Sequence, residues 1–283
     1  MNEQQTADTK KRKIISVVLF LVCVLFVAGF IYFSLHVTHY SLTSSKVNSA
    51  GFRCAVVSDL HSCEYGHGEN NLVIAKLAEE NPDFVLMPGD IFDDIFTDEN
   101  SCEFLETLVK KYPCYYVTGN HEFWSDRPDE IKEYLESIGV VVLEGDCSTI
   151  EINGNLIDIL GVDDPVEMSS NDWLLQLDRA CEASSPDNYR ILVSHRPELV
   201  DDYNGRGLDL IVAGHAHGGQ ITIPFVNVGV YAPNQGLFPK YIGGDYVLPD
   251  GGNLIVSRGL CRERIPFPRL NNFPEIVIID VGN

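Results

Sequence analysis

Residues 52–61 read FRCAVVSDLH, an apolar run that ends in two residues able to bind a metal ion. The arrangement recurs as FVLMPGD at residues 84–90 and as CYYVTGNHE at residues 114–122. Short apolar runs bounded by turn residues predict buried strands. Stretches with helical spacing follow these runs, at Asn70–Glu80, Glu99–Lys111 and Asp129–Ile138. This alternation of strand and helix predicts a parallel sheet with right-handed crossovers.

The second half of the chain is predicted to be mostly strand. Asn153-Gly154, between two apolar runs, is a strong hairpin signal. Further strands are predicted at Ile191–Val193, Leu210–Val212, Ile221–Ile223, Val226–Val230, Leu254–Val256 and Ile276–Ile279. We therefore expect an α/β fold in which two sheets pack together between helices, giving four layers in the order α/β/β/α.

The chain is strongly acidic, and its charge is unevenly distributed. The 283 residues carry a formal net charge of −21; residues 1–40 contribute +2, which leaves −23 for the remainder. Such an acidic body repels nucleic acid, because binding a phosphate backbone requires a basic face. The composition, 45% hydrophobic and 22% charged, excludes a disordered chain and a multi-span membrane protein.

One long apolar run lies near the N-terminus. Ile14–Leu35 has 22 residues, and about 20 helical residues span a bilayer core. The four cations at residues 10–13 favour a cytoplasmic N-terminus, with the remainder outside the cell membrane. A cleaved signal peptide is the alternative. The chain therefore divides into a cytoplasmic basic segment (1–13), a transmembrane helix (14–35), a tether (36–50) and a catalytic body (51–283).

Polar residues follow five of the predicted strands at the point where each strand ends. The carboxyl ends of parallel strands meet at one edge of a sheet, where ligands bind. In extended backbone, side chains two residues apart point the same way, so Asp59 with His61, and His215 with His217, are each expected to grip one ion. The candidate ligands at this edge are Asp59, His61, Asp90, Asn120, His195, His215 and His217.

Each of these motifs alone is weak, since Asp-x-His and Gly-Asp are common by chance and a lone histidine usually has a structural role. Gly-His-x-His-Gly-Gly at residues 214–219 is less common and favours a metal. Oxygen and imidazole ligands without thiolate suit Mn²⁺, Fe²⁺ or Zn²⁺ better than Ca²⁺. Seven ligands exceed the needs of one ion, so two ions sharing a bridging carboxylate are expected, as in centres for phosphoryl displacement.

In this order, the motifs resemble the signature of the calcineurin-like metallophosphoesterase superfamily over about residues 52–280. Gly218-Gly219-Gln220 and Ser257-Arg258-Gly259-Leu260 are similar to its branch of membrane-anchored or exported bacterial phosphodiesterases, which resembles UDP-2,3-diacylglucosamine pyrophosphatases. The resemblance implies that Asp90 bridges two divalent metals. It also implies a first metal on Asp59, His61 and His217, and a second on Asn120, His195 and His215.

The resemblance also implies catalytic roles. His121 would face the scissile phosphate and protonate the leaving oxygen. Glu122 would orient His121 through a hydrogen bond. A hydroxide bridging the two metals, with Mn²⁺ as the expected cofactor, would attack phosphorus.

Three arginines are candidate substrate contacts in an otherwise acidic body. Arg196 stands where a small polar residue is expected, and it would reach a phosphate oxygen or form a surface salt bridge. Arg262 and Arg264 would either contact substrate or pair with nearby carboxylates.

The expected function is therefore a membrane-tethered dimetal hydrolase of phosphodiester or pyrophosphate bonds, on a small-molecule or lipid-linked substrate. Two enzyme alternatives are a UDP-2,3-diacylglucosamine pyrophosphatase-type hydrolase and a protein serine/threonine phosphatase. A metal-binding module without turnover is the alternative outside the enzymes. No nucleic-acid partner is expected.

Overall fold

The computed structural model describes residues 10–24, 35–223, 228–262 and 269–283. Residues 10–24 form helix α1. Within the described residues, no helix is both long and apolar enough to cross a membrane. Part of the predicted span Ile14–Leu35 lies outside the described residues.

The first sheet has six strands and is built mainly from the N-terminal half of the body. Most neighbouring strands pair in parallel, and the strand Glu275–Gly282 runs antiparallel to the strand Phe52–Val56. The order across the sheet is β1 (His36–Thr43), β16 (Glu275–Gly282), β2 (Phe52–Val56), β3 (Phe84–Pro88), β4 (Cys114–Val117) and β5 (Val141–Val142).

The second sheet also has six strands and comes from the C-terminal half. Its order is β14 (Gly244–Val247), β15 (Asn253–Val256), β9 (Leu210–Ala213), β8 (Tyr189–Val193), β7 (Asn155–Gly161) and β6 (Asp146–Ile152). Two short antiparallel pairs follow β9: β10 (Thr222–Ile223) with β11 (Val228–Gly229), and β12 (Tyr231–Ala232) with β13 (Gly236–Leu237).

Helices connect the parallel strands and have identifiable ends. The Asn71 side chain accepts hydrogen bonds from two amides of the first turn of α2, so this helix starts later than the sequence predicted. Gly139, with φ of 99°, ends α5. The helices of the body are α2 (Leu72–Glu80), α3 (Glu99–Leu108), α4 (Asn120–Trp124), α5 (Pro128–Ile138), α6 (Ser170–Ala183) and α7 (Val200–Tyr203).

Three apolar cores separate the layers of the body. One core lies between the first sheet and α2, α3 and α5. The second lies between the two sheets, where Leu86 and Val117 pack with Ile191 and Val212. The third lies between the second sheet and α6 and α7. The predicted mixed α/β fold is confirmed, with two facing sheets and helices on their outer sides.

The predicted tether at residues 36–50 is wrong for its first half. His36–Thr43 forms β1, which pairs in parallel with β16 along its whole length. Its Thr38 hydroxyl donates to the Glu275 carboxylate at 2.6 Å, and Val47 beyond it is buried. The folded body therefore includes His36, because β16 offers an unpaired edge that this segment completes.

Most of the other predicted strands are present, although the predicted Val226–Val230 lies partly outside the described residues, and the short strands β5, β12, β13 and β14 were not predicted. The hairpin at Asn153-Gly154 joins β6 to β7 as expected. The 14-residue helix α6 was not predicted in the second half of the chain. It is a crossover between the parallel strands β7 and β8, a connection that a parallel pair requires.

Candidate metal centre

The candidate ligands lie in loops at the carboxyl ends of strands from both sheets. Asp59 and His61 follow β2, Asp90 follows β3, and Asn120 opens α4 after β4. From the second sheet, His195 follows β8, while His215 and His217 follow β9. None of these side chains belongs to a residue more than 7% exposed. The centre therefore forms where these loops meet.

The histidines and carboxylates fall into overlapping groups. Ligand atoms of Asp59, His61 and His217 lie within 4.8 Å of one another, and so do those of Asp90, His195 and His215. Asp90 also groups with His61 and His121, so it adjoins both clusters. This corrects the expectation that His215 and His217 grip one ion, because the turn between them sends the two rings to different clusters.

The backbone at this edge is left-handed at five of the ligands. The φ angles are 51° at Asp59, 48° at His61, 52° at Asp90, 66° at His215 and 45° at His217. The extended backbone assumed from the sequence is therefore wrong here. A non-glycine residue in this region costs about 1–3 kcal/mol, and such strain concentrates at functional sites.

Two glycines leave room for the carboxylates. A Cβ at Gly119 would lie 2.2 Å from the Asp90 Oδ1 atom. A Cβ at Gly259 would lie 2.6 Å from the Asp59 Cβ atom. No side chain fits at these distances, so glycine is required at both positions for the carboxylates to reach the centre.

Buried lone pairs without partners mark the site as a cation site. Among the described residues, Asp59 Oδ2, His61 Nε2, Asn120 Oδ1 and His217 Nδ1 have no hydrogen-bond partner. Buried polar atoms are nearly always satisfied, so this concentration requires an explanation. The Asp90 Oδ2 atom lies 3.1 Å from His195 Nε2 and 3.5 Å from His61 Nε2. The donor set therefore fits two divalent cations sharing Asp90.

The electrostatics of the cluster favour the same conclusion. Burial, aided by the charges of His195 and Arg196, lowers the pKa of His215. Burial and the charge of His61 lower the pKa of His217. Both rings are thus held neutral, which is the form that binds a metal. Burial raises the pKa of Asp59, because the charged carboxylate loses its contact with water. A cation nearby would therefore favour the charged form.

The pKa of His195 shows how strongly the carboxylates of the centre attract positive charge. Burial alone would lower its pKa, but the Asp90 carboxylate outweighs burial and raises the pKa of His195 to about 10. The carboxylates at the centre therefore create a demand for positive charge that divalent cations would meet.

His121 is oriented by a residue that the sequence did not point to. Its Nδ1 atom lies 2.6 Å from Asp94 Oδ1, and its ring meets Trp124 edge to face at 4.8 Å between centroids. The expected hydrogen bond from Glu122 is wrong. Glu122 instead accepts backbone N–H bonds from Asp90, Ile91, Phe92 and Gly119, at 2.8–3.0 Å. Glu122 therefore shapes the Asp90 loop, while Asp94 positions His121.

Asp93, next to Asp94 in the sequence, supports the candidate metal ligand His61. One carboxylate oxygen lies 3.0 Å from His61 Nδ1, and the other accepts the N–H groups of Ile95 and Phe96. Burial alone would raise the pKa of Asp93, but these bonds outweigh burial and lower it to about 2. The only sequence signal was the acidic pair Asp93-Asp94 itself, separated by two residues from the Gly-Asp motif.

Arg196 is neither a surface residue nor free to bind substrate. Its guanidinium makes a two-point pair with Asp164, at 2.5 and 2.8 Å. The remaining nitrogen lies 3.1 Å from His215 Nε2 and contacts Asn234, whose side-chain oxygen is 2.8 Å from the same imidazole atom. Arg196 therefore orients His215, and sequence reasoning missed Asp164 and Asn234.

The Arg262 side chain is also engaged by neighbouring residues. Its guanidinium lies 3.9 Å from the centroid of the Tyr65 ring, and one nitrogen donates to the Glu64 carbonyl. Arg264, the third predicted contact, lies outside the described residues.

Comparison with known proteins agrees with this geometry. A family model described as calcineurin-like phosphoesterase matches residues 52–219. The chain is similar to phosphodiesterase YaeI of Escherichia coli, at 26% identity over 86% of each chain. It is 31% identical to metallophosphoesterase F40B5.2 of Caenorhabditis elegans over 64% of this chain, but spans only 39% of that protein.

Solved structures show the same fold. A 5′-nucleotidase precursor from Thermus thermophilus superposes with a TM-score of 0.51 at 15% identity. The match covers 74% of this chain and 49% of the nucleotidase, so about half of that structure has no counterpart in the match.

Proposed function

The chain belongs to the calcineurin-like phosphoesterase family, and from that membership we propose that it hydrolyses phosphodiester or pyrophosphate bonds at a centre of two divalent cations. One observation carries the proposal. Buried ligand atoms of Asp59, His61 and His217, each with an oxygen or nitrogen left without a partner among the described residues, lie together beside Asp90.

Each ligand has a defined part in this proposal. Asp59, His61 and His217 would hold one cation, Asn120, His195 and His215 would hold the second, and Asp90 would be shared between them. When bound, the cations supply Lewis acidity and an attacking water of lowered pKa. Mn²⁺ is the first candidate, with Fe²⁺ and Zn²⁺ as alternatives.

His121 handles the proton of the leaving group in this proposal. Asp94 accepts a hydrogen bond from Nδ1–H, which fixes the tautomer and leaves Nε2 to exchange a proton. A positioned acid of this kind contributes about 10²–10⁴-fold to rate. Glu122 acts indirectly, because its carboxylate accepts hydrogen bonds from the backbone of the loop that carries Asp90.

The diester preference is supported by the E. coli relative, which is named a phosphodiesterase and matches along most of both chains. The pyrophosphate alternative and the protein serine/threonine phosphatase alternative use the same centre. Substrate tests separate them.

A membrane tether and a lipid-linked substrate extend the proposal. The tether is supported by the apolar run Ile14–Leu35 with its preceding cations, and the same cations favour a catalytic body outside the cell membrane. The lipid-linked substrate is supported by the exposed apolar side chains of Ile95, Phe96 and Trp124 beside His121 and Asp93, and by those of Leu237 and Phe238 later in the chain. Phe92 and Phe123 are buried and unavailable for such contacts.

The test is hydrolysis by the full chain in mild detergent, stripped of metal and then titrated with Mn²⁺. The substrates are bis-p-nitrophenyl phosphate, p-nitrophenyl phosphate, UDP-glucose and a phosphoserine peptide. We expect turnover to return with Mn²⁺ and to favour the diester or the pyrophosphate. A preference for the phosphopeptide would establish the phosphatase alternative, and no turnover with bound metal would establish a binding module.

A further inference from the structure

Three arginines among the described residues are almost fully buried, and they differ sharply in how their charge is satisfied. Arg190, at 6% exposure, uses every guanidinium nitrogen in hydrogen bonds to Ser184 and to backbone carbonyls. Arg196, at 4%, is paired with Asp164. Both satisfy the rule that a buried charge is paired and hydrogen-bonded.

Arg269 breaks this rule. It is 7% exposed, and its one side-chain hydrogen bond among the described residues runs from Nη1 to the Arg258 carbonyl at 2.8 Å. Its Nε and Nη2 atoms are buried without a partner in the described part of the chain, and no carboxylate there forms an ion pair with it. An unpaired buried cation is costly, so these two donors point to a ligand that supplies negative charge.

The position of Arg269 identifies where that ligand sits. Arg258, which accepts its hydrogen bond, precedes Gly259, and Gly259 packs directly against Asp59. Asn272, three residues after Arg269, donates to the His217 carbonyl at 2.7 Å. The segment from Arg269 to Asn272 thus braces the turn that carries His217, on the Asp59–His61–His217 side of the centre.

The field of Arg269 reaches this cluster. Its positive charge contributes to lowering the pKa of His217, after burial and the charge of His61. The positive charge of Arg269 adds to that of a cation bound at this cluster, and the Asp59 carboxylate alone would have to offset both unless a further anion were bound. A phosphoryl group is such an anion, and arginine matches its oxygens with paired N–H donors.

We propose that Arg269 binds a phosphoryl oxygen of the substrate on the Asp59–His61–His217 side of the centre. This inference rests on the proposed hydrolase function and names a residue that recognises its substrate. The oxygen belongs either to the reacting phosphate or to the second phosphate of a pyrophosphate. Arg269 is thus added to the candidate substrate contacts that the sequence suggested.

The test compares Arg269→Gln and Arg269→Lys with Arg53→Gln, a matched loss of one positive charge. Arg53 pairs with Asp280. It lies at the start of β2, at the opposite end of this strand from the loop that carries Asp59. With Mn²⁺ bound, we expect Arg269→Gln to raise KM for bis-p-nitrophenyl phosphate by on the order of ten- to a hundredfold. Arg269→Lys should show a smaller rise, and Arg53→Gln should resemble the wild type.

A second measurement does not depend on turnover. Inorganic phosphate should raise the thermal midpoint of the Mn²⁺-loaded wild type and of Arg53→Gln, because a ligand of the folded state stabilises it. The shift should vanish in Arg269→Gln. Without phosphate, Arg269→Gln should unfold close to the wild-type midpoint, since it loses one hydrogen bond to the Arg258 carbonyl but also removes an unpaired buried charge.

The outcomes separate the two proposals. Wild-type KM and an unchanged phosphate shift in Arg269→Gln would overturn the inference, as would a large fall in thermal midpoint, which indicates a structural arginine. A KM increase for UDP-glucose alone would assign the residue to the second phosphate, and an equal increase for the diester would assign it to the reacting one. Absence of Mn²⁺-dependent hydrolysis in the wild type would defeat the proposed function itself.

Discussion

At the scale of single residues, the ligands of the centre are held by protein partners while some of their oxygen and nitrogen atoms stay available to a cation. The Asp59 and His61 side chains sit on left-handed backbone and keep unpartnered atoms in the described structure. The residues behind them are fully engaged: Asp93 holds His61, and Arg196 holds His215. Ligand orientation therefore depends on partners that do not contact the metals.

Asp94→Asn tests the positioning of His121. The amide cannot stabilise a protonated imidazole or fix its tautomer as the carboxylate does, so kcat should fall by about 10–100-fold, within the range of a general acid. Mn²⁺ content should stay at the wild-type value, since Asp94 is not among the proposed ligands. Asp98→Asn, which removes a carboxylate paired with Arg127, is the control. Unchanged kcat in Asp94→Asn would refute the assignment.

Gly119→Ala tests the close approach behind Asp90. The added methyl would lie 2.2 Å from Asp90 Oδ1, so the carboxylate must move and Mn²⁺ affinity should drop at least tenfold. Gly282→Ala is the matched control, because nothing lies within 4 Å of its added methyl. Isothermal titration with Mn²⁺ measures both variants, and equal affinity would contradict the packing argument.

At the scale of elements, the strand β1 determines where a stable shortened protein can begin. Eight residues of β1 pair with β16 at the edge of the first sheet. A protein that starts at residue 35 keeps this strand, whereas one that starts at residue 44 loses it.

We expect the shorter protein to unfold at a thermal midpoint at least about 5 °C below that of the longer one, because an apolar sheet edge is exposed. Differential scanning calorimetry of the two proteins measures this. Equal midpoints would mean that β1 contributes nothing to the fold.

The elements that sequence predicted well are those with local signals. The strands β2, β3 and β4 are continuous apolar runs, and the hairpin at Asn153-Gly154 has its own turn chemistry. The metal-ligand motifs follow these strands directly, so their meeting at one edge was predictable. β1 was missed because HVTHYSLT has no such run, and its partner β16 is far away in the sequence.

The partners of the ligands could not be predicted for the same reason. Asp94 and His121 are 27 positions apart, and Arg196 and Asp164 are 32 apart. Nothing in the sequence near Glu122 shows that its carboxylate accepts four backbone amides instead of contacting the adjacent histidine. Such pairings are set by tertiary packing, and Arg269 was overlooked because its unpartnered state is visible only in three dimensions.

At the scale of the whole molecule, the acidic body concentrates buried carboxylates where the two sheets' loops meet. The negative charge of the buried Asp59 and Asp90 carboxylates is offset only in part by His195, and divalent cations would offset the remainder. Metal binding should therefore contribute directly to stability.

Chelation tests this dependence. At a free Mn²⁺ concentration of about 1,000 times Kd, one bound ion stabilises the fold by about 4 kcal/mol. Removing the metal with EDTA should lower the thermal midpoint by on the order of 10 °C, and added Mn²⁺ should restore it. A midpoint indifferent to EDTA and to Mn²⁺ would contradict a metal-bound native state.

The most direct test of the central claim is the number of Mn²⁺ ions bound per chain, measured by equilibrium dialysis of the full chain in mild detergent. We expect about two ions for the wild type. Either His217→Ala or His215→Ala should bind about one tight ion, because the two rings belong to different clusters. Hydrolysis of bis-p-nitrophenyl phosphate should be lost in both variants. A wild-type protein that binds no Mn²⁺, or variants that keep two ions and full activity, would contradict it.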